Sequence, residues 1–219
     1  LGKDGAGILP EEIYLSYFFD RGNKTKNIVY FLDPFVFNNT TWNYDPLDGE
    51  PYRTTFLFDL VEARADMNTI YNYVASNMAA GAHPIVEAPK EIDDKLLLSI
   101  NNTDIEKAIH GYYPNGFDTT LFAKYASHLA RIVEMAESHR ARIVFILPPT
   151  LWERDPAKDM VVSLLSRYRE MYNIKFYDLS SSLKDVKYFG GYDGSYDHLS
   201  QSGVQYFTER FLKPILTSN

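Results

Sequence analysis

The run Ile143-Val144-Phe145-Ile146-Leu147, stopped by Pro148-Pro149, is apolar at every position and shows no polar alternation. A strand of this kind is buried on both faces, the condition of a parallel sheet covered by helices, whereas a half-exposed strand would alternate. Two further runs flank it. Ile28-Val29-Tyr30-Phe31-Leu32 is closed by Asp33-Pro34, and Ile174-Lys175-Phe176-Tyr177-Asp178-Leu179 follows later. Helical patterns separate them. Glu11 to Phe19 ends in Asp20-Arg21-Gly22-Asn23, a stop signal, and Phe56 to about Met78 reads as one long or broken helix. Thr119 to His139 carries Leu121, Phe122, Tyr125, Leu129, Ile132, Val133 and Ala136 on one side, and Asp159 to Tyr172 forms the next helix. After Gly203, Val204, Phe207 and Phe211 recur at helical spacing, so a final helix is expected. This order specifies a single α/β domain over residues 1–219, with parallel strands and right-handed crossovers.

Between Gly81 and Asp118 the pattern weakens. Pro84 and Pro89 punctuate it, Ile92 to Ile100 reads as a short helix, and Gly111-Tyr112-Tyr113-Pro114-Asn115-Gly116 reads as a loop. Long irregular segments in compact domains are usually functional, so residues 81–118 are expected to form a lid or insertion.

Composition narrows the function classes. With 22 basic against 29 acidic residues, a net charge of -7 and no basic run, nucleic acid is excluded as the main partner. A small molecule, a carbohydrate or a protein fits better. Seventeen Tyr, fourteen Phe and two Trp suit a sugar- or acyl-binding surface and equally suit a core. The chain has no Cys, which removes disulfides and thiolate metal sites, and no run of about 18 apolar residues that could span a membrane. It starts at Leu1 rather than Met, and the N-terminus is expected to be cut. Asn-x-Ser/Thr triplets at Asn23, Asn38, Asn39 and Asn101 are too short a pattern to carry weight.

In such sheets ligands bind at the C-terminal ends of the strands, which brings Asp33, Pro148, Pro149, Thr150 and the loop before His198 together. That loop, Tyr192-Asp193-Gly194-Ser195-Tyr196-Asp197-His198-Leu199-Ser200-Gln201-Ser202-Gly203, sets a histidine beside acids just ahead of the last helix. A histidine whose tautomer is fixed by a carboxylate is the usual general base near neutral pH. Ser200 also serves as an N-cap, so the same residues have a structural use. His128 falls on the apolar side of its helix and reads as a buried or boundary residue. His83, His110 and His139 make no metal-ligand pattern. The glycine-rich start, with Gly2, Gly5 and Gly7, could present backbone N–H groups as an oxyanion or phosphate cradle, or be a loose end. Asn38, Asn39 and Asn115 are oxyanion-donor candidates that also suit turns.

The strand ending in Pro-Pro, the strand from Ile174 to Leu179, and Asp-His-Leu-Ser-x-x-Gly from Asp197 to Gly203 together resemble the C-terminal half of an SGNH/GDSL-type hydrolase. Leu32-Asp33-Pro34-Phe35 is similar to the extracytoplasmic acyl-transfer branches of that superfamily. The resemblance implies a flavodoxin-like three-layer α/β/α fold and a Ser-His-Asp mechanism without a cofactor. It implies an esterase or O-acyltransferase acting on acylated carbohydrate or a cell-envelope polymer, periplasmic or at the cell surface, with an envelope protein as a further partner. His198 takes the base position, with Asp193 or Asp197 as its acid, and Gly5, Gly7, Asp33 and Asn38 stand near the oxyanion or substrate. The chain departs from the family twice. It contains no Gly-Asp-Ser, and Ser195 occupies the place three residues before the histidine where the acid usually stands. Leu1 to Gly7 resembles the segment after the nucleophile strand and helix, so the serine is expected upstream of Leu1. The alternative is a non-catalytic glycan- or protein-binding module on the same fold.

Overall fold

The computed structural model describes residues 6–39, 43, 53–65, 67–79, 102–190 and 196–217. The elements are α1 (Ile8–Asp20), β1 (Asn27–Phe31), α2 (Thr54–Glu62), α3 (Met67–Ala79), α4 (Asn102–Tyr112), α5 (Thr119–Ser138), β2 (Arg142–Leu147), α6 (Lys158–Met171), β3 (Ile174–Asp178) and α7 (Gln201–Phe207). A π-helical turn over Thr208–Leu212 leads from α7 into α8 (Lys213–Thr217), and short 3-10 turns cover Pro34–Phe37 and Val186–Tyr188. The protein is a mixed α/β structure. Its sheet has the order β1-β2-β3, all parallel, with Ile28 level with Ile143 and Ile143 with Ile174.

The central strand explains its own sequence. Ile143, Phe145 and Leu147 belong to the main core with Phe19 of α1, Leu129 and Ile132 of α5 and Leu164 and Leu165 of α6. On the other face Val144 and Ile146 pack with Phe207, Phe211, Leu212 and Ile215 of the C-terminal helical segment. Both faces of β2 are therefore covered, which is why no polar residue interrupts the run. Each such side chain contributes about 1.5–3 kcal/mol by leaving water. At the edge strand β1, Ile28 and Tyr30 pack on the main core, while Val29 and Phe31 remain 37% and 47% exposed.

Local chemistry sets the element ends. Asp118 caps α5 by accepting from the N–H groups of Thr120 (2.7 Å) and Leu121 (3.1 Å). Arg140 closes that helix at φ 57°, and the N–H of Ala141 donates to the carbonyl of Ala136. The helix expected over residues 56–78 is broken at Arg64, whose φ of 55° no right-handed helix continues through. α2 and α3 bend back instead onto a second cluster of Leu9, Ile13, Phe56, Leu60 and Tyr73.

The expected lid or insertion is described only from Asn102 onward. Residues 102–118 lie outside the sheet, but they hold α4, and Ile105 and Tyr113 are buried in the main core. The rest of the expected lid, including the helix read at Ile92 to Ile100, lies outside the described residues. No helix among the described residues is long and apolar enough to cross a membrane.

Candidate functional site at the strand mouths

Asp33 follows β1, Pro148 and Thr150 follow β2, and Ser180 follows β3, so the parallel arrangement carries all of them to one edge of the sheet. There they line a narrow cleft of about 30 Å³ together with Trp152, Asp155 and Asp197. A space of that size holds one or two water-sized groups, not a sugar ring.

The loop bearing His198 is fastened to this edge by its backbone. Phe189 and Leu199 form an antiparallel bridge, the N–H of Gly190 donates to the carbonyl of His198 (2.9 Å), and the N–H of Leu151 donates to that of Tyr196 (3.0 Å). The N–H of Ser200 donates to the carbonyl of Tyr188 (2.9 Å), and the Ser200 hydroxyl caps α7 by accepting from the N–H of Gly203 at 3.1 Å. Gly203 permits that approach. A Cβ there would sit 1.9 Å from the Tyr188 oxygen. The Ser-x-x-Gly part of the motif is thus what seats the helix on the preceding turn and presents His198 at the rim.

His198 Nδ1 stands 3.8 Å from Asp197 Oδ1, an ion-pair separation longer than a hydrogen bond; the carboxylate side chain is 8% exposed and the imidazole 41%. Asp193 lies outside the described residues. Asp33 is the most perturbed acid of the cleft. Burial first, then the charges of Asp197 and Asp155, push its carboxyl up to about 7, with His198 pulling the other way. A carboxyl that titrates near neutrality beside a histidine can hold or release a proton at working pH, the property required of a general acid or base.

The cleft contains residues that the sequence reading passed over. Burial raises Asp155 above the usual carboxylate range against hydrogen bonds from Tyr113 Oη (2.6 Å) and the N–H of Ala157 (2.8 Å). Burial, and then Asp155, push the Tyr113 hydroxyl up. Lys158 Nζ donates to Ser180 Oγ at 2.6 Å and pairs with Asp178 Oδ2 at 3.1 Å, while Ser180 Oγ donates to Asp178 Oδ1 at 2.6 Å. Burial alone would raise Asp178, but Ser180 and Lys158 outweigh it and hold its carboxyl low. Asp178 ends a strand at the ligand edge, a signal that was open to reading. Tyr113, at the end of α4, meets Asp155, ahead of Lys158 at the start of α6, only in the folded chain.

Several expected site residues have other duties. Asn38 is a clamp between segments: Nδ2 donates to the carbonyl of Gly116 (3.1 Å) and Oδ1 accepts from the N–H of Asp118 (2.6 Å), a structural duty beside the oxyanion role expected of it. Gly7 precedes α1, and a Cβ on it would come within 2.7 Å of Oδ1 of the buried Asn43, which accepts from the N–H of Leu9. Its need for glycine is therefore a packing requirement. Gly5 and Gly2 lie outside the described residues. Phe35, Tyr112 and Trp152 stack within 4.2–5.7 Å of one another, but Phe35 and Trp152 are buried and form a wall of the cleft rather than an open sugar platform. His128 is buried as expected, at 2.7 Å from Glu12, whose other oxygen accepts from Arg131 Nε at 2.6 Å. Among the described residues no three His, Cys, Asp or Glu side chains are grouped to hold a metal ion. No family model, no curated protein and no solved structure matches this chain.

Proposed function

We propose that this chain is the greater part of a flavodoxin-like three-layer domain of the SGNH type that transfers or hydrolyses acyl esters of a carbohydrate or envelope polymer. One observation carries the reading: His198, Asp197 and the neutral-titrating Asp33 meet at the C-terminal edge of parallel strands, where such sheets do their chemistry. In the proposed reaction His198 removes the proton from a serine hydroxyl as it attacks the ester carbonyl, and returns it to the leaving alkoxide. Asp197 stabilises the imidazolium formed between those steps. In this reading the serine comes from a strand outside residues 1–219 that pairs with β1, the outer strand of the sheet among the described residues. The helices on both faces of β2 are the support for the three-layer part of the reading.

A non-catalytic module on the same fold is the second reading. It is favoured by the missing Gly-Asp-Ser and by the structural use of Ser200 and Gly203. One experiment separates the two. Residues 1–219 alone, and the same residues with the upstream coding sequence, are treated with a fluorophosphonate probe and with p-nitrophenyl acetate. The enzyme reading expects labelling and turnover only in the longer protein, with turnover lost on His198→Ala. Turnover by residues 1–219 alone, or a longer protein indifferent to His198→Ala, sinks the proposed mechanism, and an unlabelled longer protein favours the binding module.

A further inference from the structure

A polar hollow lies at the other end of the sheet. It measures about 540 Å³ and is lined by Lys26, Glu137, Arg140, Arg142, Tyr172 and Asn173 among others. That volume lies within the roughly 300–1,000 Å³ of small-molecule sites. Lys26 precedes β1, Arg142 opens β2 and Asn173 precedes β3, so the parallel register sets these residues side by side at the N-terminal ends of the strands.

Charge makes this hollow unusual. In a chain of net charge -7, three cations and one acid line the same hollow, and the side chains of Lys26, Arg140 and Arg142 make no hydrogen bond or ion pair among the described residues. Arg140 also holds φ 57°, a conformation that disfavours a non-glycine residue by about 1–2 kcal/mol. Arg64 shares that conformation at the end of α2, so backbone shape and the helix dipole alone assign nothing. What distinguishes Arg140 is its convergence with Lys26 and Arg142 over a floor of Val133, Ala136, Ile143 and Ile174.

We propose that this hollow binds a phosphorylated sugar or polyol through its phosphate. The cations of the hollow, offset by Glu137, match a phosphomonoester of charge about -2 at pH 7. Guanidinium groups grip phosphate through paired N–H donors, and the exposed Asn173 offers an amide to the sugar hydroxyls. The site is separate from the strand-mouth cleft and does not depend on the acyl-transfer reading.

The test uses glucose 6-phosphate, with glucose and inorganic phosphate as comparisons, followed by calorimetry and by amide chemical shifts. Glucose 6-phosphate should bind at millimolar concentration or below, move the amides of Lys26, Asn27, Arg140 to Arg142 and Asn173, and weaken as salt rises. Arg140→Asn, which keeps a residue tolerant of positive φ, combined with Arg142→Gln should weaken it about tenfold or more. Thermal unfolding checks that the variant is folded, and the wild-type shift map stands by itself if it is not. Absence of binding, shifts confined to other regions, or unchanged affinity in the folded variant overturns the proposal. Inorganic phosphate bound as tightly as glucose 6-phosphate would mean an adventitious ion only, and overturns it equally.

Discussion

Asp33→Asn should make the protein more stable at alkaline pH. In the folded chain burial and the neighbouring Asp197 and Asp155 carry the Asp33 carboxyl to about 7, against an ordinary value of 3.8. Between those two values the folded state holds a proton at this site that the unfolded chain has released, so wild-type stability falls as pH rises through the window. Three pKa units correspond to about 4 kcal/mol, and because Asp33 keeps part of its surface in water we expect about half, about 2 kcal/mol. Asparagine carries no charge and does not incur the penalty. Urea unfolding of both proteins at pH 4 and pH 8 measures it. Near pH 4 the two should be close, and at pH 8 the variant should be the more stable by about 2 kcal/mol, or about 4–8 °C in Tm. A difference that does not change with pH, or a variant less stable at pH 8, refutes the account of an acid held out of water among other acids.

Gly203→Ala should lower stability by about 3 kcal/mol in the same urea assay, since the new methyl meets a backbone oxygen that cannot step aside; a loss under about 1 kcal/mol would mean that the Tyr188 turn yields. Glu12→Gln should cost about 3 kcal/mol by leaving Arg131 and His128 without their carboxylate, and an unaffected midpoint would show that the buried cluster is dispensable. Tyr113→Phe removes the hydroxyl that donates to Asp155 and so raises that carboxyl further; the loss should be about 1–3 kcal/mol and larger at pH 8 than at pH 5, because the bond supports the ionised form.

The sheet was legible because β2 carries its environment in its composition: an unbroken apolar run can only be buried on both sides, and two shorter runs spaced by helical patterns leave a parallel order as the economical arrangement. α4 was not legible for the opposite reason. Asn102 to Tyr112 contains Asp104, Glu106, Lys107 and His110, and few apolar residues mark a face, so the segment reads as irregular until Ile105 and Tyr113 are seen to reach the core. A long or a broken helix was open over Phe56 to Met78, but the position of the break at Arg64 was hidden. Arginine is a good helix former, and nothing local reveals that the chain will take a positive φ there to return α3 to the Leu9 and Phe56 cluster.

The candidate site divides along the same line, between what one segment states and what several must assemble. His198 and Asp197 could be read because they are neighbours in a loop ahead of a capped helix, and Asp33 because it closes a strand at the ligand edge. Their electrostatics could not, since the upward shift of Asp33 comes first from its burial and then from Asp197 and Asp155, about 160 and 120 residues away in sequence. The motif itself is compatible with two ends. Ser200 and Gly203 would be required to seat α7 against Tyr188 whether or not His198 ever accepts a proton. The discriminating residue is Asp33, because a helix seat has no use for a carboxyl forced toward neutrality at its edge. Acids pushed up by burial and by like charges cluster at functional sites, where a proton must be exchanged near neutral pH, and this is why the catalytic reading rests on Asp33 as much as on the histidine.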